Sequence, residues 1–113
     1  MKFEVENKDD GAILHLEGKI IGDSAVQLKQ ILEEQIDSDI KWIILDLADV
    51  PLMDSSAIGT MIMAFLKLKE KSGKLVILYA KKSIQEVLSI TKLDTLFEIC
   101  DNMQNALQSV KSI

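Results

Sequence analysis

The chain opens with two short alternating runs. Phe3 and Val5, then Ile13, Leu14 and Leu16, flank Asp9-Asp10-Gly11. Period-2 apolar spacing around an Asp-Gly turn predicts an antiparallel hairpin. A loop from Gly18 to Asp23 follows. Ser24, with Gln27 three residues later, has the capping-box pattern that opens a helix, and Val26, Leu28, Ile31, Leu32 and Ile36 supply its apolar face. Asp37-Ser38-Asp39 ends that periodicity. Trp42 to Leu47 is almost continuously apolar, as expected of a central strand buried on both faces. After a loop from Ala48 to Asp54, Ser55 or Ser56 starts the longest helix, predicted to end near Ser72 with Gly73 as the residue just past its end. Lys67, Lys69 and Lys71 suit the negative pole of that helix. Leu75 to Tyr79 reads as a second buried strand. Ser83 and Glu86 form another capping-box pattern for a short helix reaching about Ile90. Phe97 to Cys100 reads as an edge strand, and Asp101 as the cap of a last helix bearing Met103, Ala106, Leu107 and Val110. The order β-β-α-β-α-β-α-(β)-α predicts an α/β fold: one domain over 1–113, a mixed sheet of four to five strands, and about four helices packed against it as a layer.

Composition narrows the functional classes. The 113 residues suit one domain, and 48% of them are apolar, enough for a real core. With five aromatic residues, Leu, Ile, Val and Met must fill it. The net charge of −5 argues against nucleic acid and against an anionic membrane surface, both of which need a basic footprint. No apolar run approaches the roughly 20 residues that cross a bilayer, so membrane insertion is not expected. Residues 1–20 lack the pattern of a signal peptide. A single cysteine, Cys100, excludes an internal disulfide and fits a reduced, cytoplasmic setting, with Cys100 itself a small buried hydrophobe.

The run Met53-Asp54-Ser55-Ser56-Ala57-Ile58-Gly59 carries the candidate chemistry. Asp54, Ser55 and Ser56 offer three helix caps where one suffices. From Ala57 to Leu66 the helix behind them is apolar almost all round. In a two-layer fold one side of such a helix must face out, which makes the side near Met63 a candidate partner surface, or else a surface covered by the neighbouring helix.

Leu45-Asp46-Leu47, a short loop, and then Met53 to Gly59 resemble the signature of STAS domains, most of all the bacterial anti-sigma factor antagonists. Further matching pieces come in order: Leu16-Glu17-Gly18, Gly73-Lys74-Leu75-Val76, Leu88 through Phe97, and Asp101 through Ala106-Leu107. The resemblance implies a partner switch. The unphosphorylated antagonist binds an anti-sigma factor that is also a serine kinase, and so frees a sigma factor. The kinase phosphorylates the first serine after the motif aspartate, here Ser55, and a PP2C-type phosphatase restores the active form. Asp54 and Ser56 are then left to cap the helix. The implied partner face comprises Ile21 and Asp23 of the loop and Ala57, Ile58, Thr60, Met61 and Met63 of the helix. The resemblance implies no cofactor and no metal, and the acidic surface fits a monomer when free. Two positions depart from the pattern. Ala57 stands where glycine is frequent. Ile21 stands where many phosphorylated members have an acidic residue, with Asp23 two residues on.

Other assignments compete. Ser55 as a catalytic nucleophile needs a base, and the only histidine, His15, lies mid-strand. No Gly-x-Ser-x-Gly elbow is present, so an enzyme is not expected. A phospho-aspartate receiver could use Asp46, but needs an acidic pair after an apolar first strand, whereas Asp9-Asp10 reads as a turn. A third assignment keeps the fold and drops the switch: a constitutive STAS module in a signalling scaffold or beside a transporter ATPase, which the Ile21 departure favours.

Overall fold

The computed structural model describes residues 1–111. The predicted hairpin forms from β1 (Lys2–Lys8) and β2 (Gly11–Glu17). There follow α1 (Asp23–Ile36), β3 (Trp42–Asp49), α2 (Ser55–Glu70), β4 (Lys74–Leu78), α3 (Lys82–Ile90), a 3₁₀ turn at Leu93–Thr95, β5 (Glu98–Cys100) and α4 (Met103–Val110). The five strands lie in the order β1-β2-β3-β4-β5, with β1 antiparallel to β2 and the remaining pairs parallel. The mixed α/β architecture matches the expectation.

Gly11 is not the turn residue that the Asp-Gly pattern suggested. It pairs with Lys8, and the positive φ of 52° falls on Asp9. What Gly11 provides is space: a Cβ there would come within 2.0 Å of the Trp42 indole. Trp42 is almost fully buried, and its Nε1–H donates to Asp10 Oδ1 at 3.0 Å.

Side chains alternate across each strand, so every central strand has two faces to cover. Ala12, Leu14, Leu16, Ile43, Leu45, Leu47, Leu75 and Ile77 join α1, α2 and α3 in the larger core. Ile13, Trp42, Ile44, Val76 and Leu78 point the other way and pack on Ala106 and Val110 of α4. The helices therefore lie on both faces, not in one layer, because a strand apolar on both faces leaves the second face wet unless something covers it. Half-buried Cys100 sits at the margin of that second core rather than inside it. Burial, then the neighbouring carboxylates of Glu98 and Asp101, push its thiol up.

Several helix ends differ from the sequence expectation. Helix α1 starts one residue early, at Asp23, and its flanking Gly22 provides no side-chain cap. Val26 faces solvent and Ala25 takes its place on the buried stripe. Ser83 lies inside α3, whose flanking residue is Lys81, and Asn102 rather than Asp101 caps α4 by accepting from the Asn105 N–H at 2.8 Å. At the end of α2 the left-handed residue is Ser72, with φ 59°. Its N–H reaches Lys69 O at 3.0 Å, and Gly73 N–H reaches Leu68 O at 2.7 Å, the paired bonds of a Schellman ending. Gly73 is needed for proximity, since a Cβ there would lie 2.1 Å from Lys41 O.

Candidate functional site

The C-terminal edge of the parallel strands brings two loops together. Ile20 and Met53 form an isolated parallel bridge. Ile20 N–H donates to Leu52 O at 2.9 Å, and Asp54 N–H donates to Ile20 O at 3.1 Å. The loop after β2 is thus fastened along the loop before α2. Ser24, expected as a cap, instead closes its own loop: its Oγ accepts from Ile21 N–H at 2.7 Å and lies within donating distance of Ile21 O and Lys19 O.

Asp54 is the hinge-pin of this arrangement. Its backbone is extended, as an N-cap requires, and its Oδ1 accepts from Ala57 N–H at 2.9 Å. Its Oδ2 accepts from Gly22 N–H, also at 2.9 Å, across to the other loop. These two N–H groups, Gly22 first, hold the carboxyl below the usual carboxylate range, with the Ser56 N–H contributing less. Gly22 is the site residue that sequence reasoning missed. Its φ of 52° and ψ of −120° lie where only glycine is comfortable. The available signal was the residue type alone, a glycine in the loop immediately before a helix.

Asp54 alone caps α2, which corrects the role given to Ser56. Ser56 is the second helical residue, and it is its backbone N–H, not its hydroxyl, that meets the Asp54 carboxylate. Ser55 is the first helical residue. Both hydroxyls are exposed, and neither has a hydrogen-bond partner among the described residues. A group added to Ser55 would displace no internal contact.

The proposed partner face needs a larger correction. Ala57 and Met61 are fully buried, and Thr60 and Ile58 nearly so. They pack into the larger core, because a helix lying on a sheet must bury the side that carries residues 57, 61, 64 and 68. Their side chains support the surface from behind. The outward line of α2 is Ser56, Gly59, half-buried Met63 and Leu66, at three- and four-residue spacing. Ile21 and Asp23 are exposed, on either side of the Gly22 that bonds Asp54. The structure therefore gathers Asp54, Ser55, Ile21, Asp23 and, one turn along, Gly59; Met63 lies on the same line at the second turn.

The other titratable residues lie elsewhere. His15 stands on the sheet face that α4 partly covers, with Nδ1 2.7 Å from Asp46 Oδ2 and Nε2 3.1 Å from Glu6 Oε1. These bonds join three strands and put His15 out of reach as a base for Ser55. Partial burial opposes its charge, yet the two carboxylates outweigh it and raise its pKa above 6.5. Asp46 Oδ1 accepts from Ala48 N–H at 3.0 Å, so both of its oxygens are engaged. Among the described residues no cluster of His, Cys, Asp and Glu could hold a metal ion, and no helix is long and apolar enough to cross a membrane. A cleft of about 400 Å³ lies at the opposite end of the sheet, between Trp42, Lys41 and the end of α4, and contains none of the candidate residues.

Comparison with known proteins agrees with this fold. The STAS domain family model matches residues 2–106. The Bordetella bronchiseptica protein BtrV, named as an anti-sigma factor antagonist, is 24% identical over 112 residues, which cover 99% of this chain and 97% of BtrV. A Thermotoga maritima crystal structure carrying the same designation superposes with a TM-score of 0.91 at 24% identity, covering 96% of this chain and 94% of that one. The Bacillus cell fate determinant SpoIIAA in its phosphorylated form superposes with a TM-score of 0.77 at 18% identity, covering 96% and 99%. With the sheet order, the paired loops and the Asp-Ser-Ser turn in place, and a family model spanning nearly the whole chain, this protein belongs to the STAS domain family.

Proposed function

We propose that this protein is an anti-sigma factor antagonist whose binding is switched at Ser55. The unphosphorylated form binds an anti-sigma factor that is also a serine kinase, releasing a sigma factor. Phosphorylation of Ser55 ends that binding, and a PP2C-type phosphatase restores it. The observation that carries the reading is the division of labour at the turn: Asp54 makes the cap while the exposed Ser55 hydroxyl makes no internal bond. A phosphate there would sit at the N-terminus of a 16-residue helix, where the helix dipole favours an anion. The domain would keep its fold. A partner surface facing it would meet about −1.5 to −2 new charges beside Asp54, on a chain of net charge −5. The designations of the relatives support the regulatory, non-catalytic role, and the phosphorylated form of SpoIIAA supports the switch. The protein acts in the cytoplasm and is monomeric when free.

A second reading, a constitutive interaction module, is favoured by one observation: the loop beside Ser55 presents exposed Ile21 rather than an acid. Binding of Ser55→Asp and Ser55→Ala to the purified cognate kinase separates the two. The switch requires Ser55→Ala to bind like wild type and Ser55→Asp to bind at least about tenfold more weakly, a difference of about 1.4 kcal/mol. Equal binding by all three proteins would leave the module.

A further inference from the structure

The cleft at the far end of the sheet from Ser55 measures about 400 Å³, within the roughly 300–1,000 Å³ of small-molecule sites. Its lining has two parts. Trp42, Leu107 and Val110 give it an apolar floor, two of them buried and Leu107 half-buried. Around them stand Lys8, Lys41 and Lys111, all exposed. None of the three has an ion-pair partner among the described residues, although Asp9 and Asp10 line the same cleft. Three lysines against two aspartates is a reversal of sign on a chain with 13 basic and 18 acidic residues.

Helix ends account for only part of this charge. Lys111 lies just past α4 and suits its carbonyl end. Lys71, which does not line the cleft, donates to Ile36 O and Ser38 O at the end of α1. Lys8 ends a strand and Lys41 precedes one, so neither completes a helix. The walls are also fixed in place. Lys41 N–H donates to Asp10 O at 2.6 Å, and Lys41 O accepts from Lys74 N–H at 3.0 Å. Asp10 Oδ1 is already engaged by the Trp42 Nε1–H. The hydroxyl of Ser72, also on the lining, has no hydrogen-bond partner among the described residues and can donate into the cleft.

We infer that this cleft binds a small amphiphilic anion, with a ring-sized apolar body on the Trp42, Leu107 and Val110 floor and an anionic head among Lys8, Lys41 and Lys111. Low-dielectric walls bearing one excess sign of charge focus the field on such a head. The apolar body confers selectivity over inorganic anions, because burying it on the floor is worth about 25 cal/mol per Å² removed from water.

Calorimetry and the fluorescence of Trp42, the one tryptophan of the chain, read binding on the full protein. The probes are phenyl phosphate, inorganic phosphate and benzyl alcohol, which carry head and body together, the head alone and the body alone. Phenyl phosphate should perturb Trp42 saturably and bind at least about tenfold more tightly than either of the others. Two charge-assisted hydrogen bonds are at stake in the double variant Lys8→Glu/Lys41→Glu, which should melt like wild type and bind phenyl phosphate at least about tenfold more weakly. Lys19→Glu, exposed in the loop at the other end of the sheet, should bind it as wild type does. If the glutamate pair does not fold, Lys8→Gln/Lys41→Gln takes its place with the same expected direction. No saturable signal with phenyl phosphate, or equal affinity in wild type and the double variant, would overturn the inference. Inorganic phosphate binding as tightly as phenyl phosphate would remove the role of the floor, and benzyl alcohol doing so would remove that of the lysines; either result overturns it as well.

Discussion

Met61 and Met63 lie two residues apart on α2, and the structure assigns them opposite roles. Met61 is fully buried in the larger core, and Met63 is half-buried on the outward line with Gly59. Truncating Met61 to alanine removes three heavy atoms beyond Cβ. At about 0.8 kcal/mol per buried methylene-sized group, the lost transfer energy is about 2.4 kcal/mol. A residual hole of roughly 50 Å³ adds about 1 kcal/mol at about 24 cal/mol per Å³. The expected loss of about 3–4 kcal/mol lies within the usual range for buried methionines. An unfolding entropy of about 0.24 kcal/mol/K for a chain of this length converts this into a Tm lowered by about 15 °C. Met63→Ala, whose side chain is already partly in water, should cost about 1 kcal/mol or less. Urea and thermal unfolding of the two variants measure this directly. A Tm drop for Met61→Ala equal to or smaller than that for Met63→Ala would refute the orientation of α2, and with it the assignment of Gly59 to the outward face.

Gly22→Ala should destabilise the fold by about 1–3 kcal/mol, because the backbone there is one that an L side chain resists while the added Cβ meets only open space; unchanged urea unfolding would show that the loop beside Asp54 adopts another conformation. The His15 clasp should make stability depend on pH. Its folded-state pKa is raised, so the stabilisation is complete below about 6.5, the unfolded value, and is lost as pH rises through the folded-state value. Urea midpoints taken from pH 6 upward should fall in wild type and much less in His15→Gln; parallel profiles would contradict the role given to Glu6 and Asp46.

The sequence carried the order of elements because apolar periodicity survives in each: alternation in β1 and β2, continuous apolar runs in β3 and β4, and a helical stripe in α2. It also held the information for two covering layers, since a run such as Trp42-Ile43-Ile44-Leu45 cannot be dry on both faces beneath a single layer of helices. Caps were less legible. Ser24, Ser83 and Asp101 have the right residue type, but capping depends on the loop backbone around them, and Ser24 spends its hydroxyl on the loop it closes. At the candidate site the Asp-Ser-Ser turn was visible, whereas the bond from Gly22 to Asp54 spans 32 positions and leaves no local pattern. Four of the seven residues expected on the partner face, Ala57, Ile58, Thr60 and Met61, are buried for a related reason. A helix apolar all round has no polar side to mark its exposed line, so Met61 and Met63 look alike until the sheet selects which of them it covers.

Phosphorylation of Ser55 as a switch is tested by incubating the protein with its cognate kinase and ATP, mapping the phosphate by mass spectrometry, and measuring binding by the purified phosphoprotein. The expected result is one phosphate, on Ser55, a circular dichroism spectrum and melting profile that retain the native fold, and binding weakened at least about tenfold, or about 1.4 kcal/mol. No phosphate on Ser55, or a Ser55 phosphoprotein that binds the kinase as tightly as the unmodified chain, would contradict it.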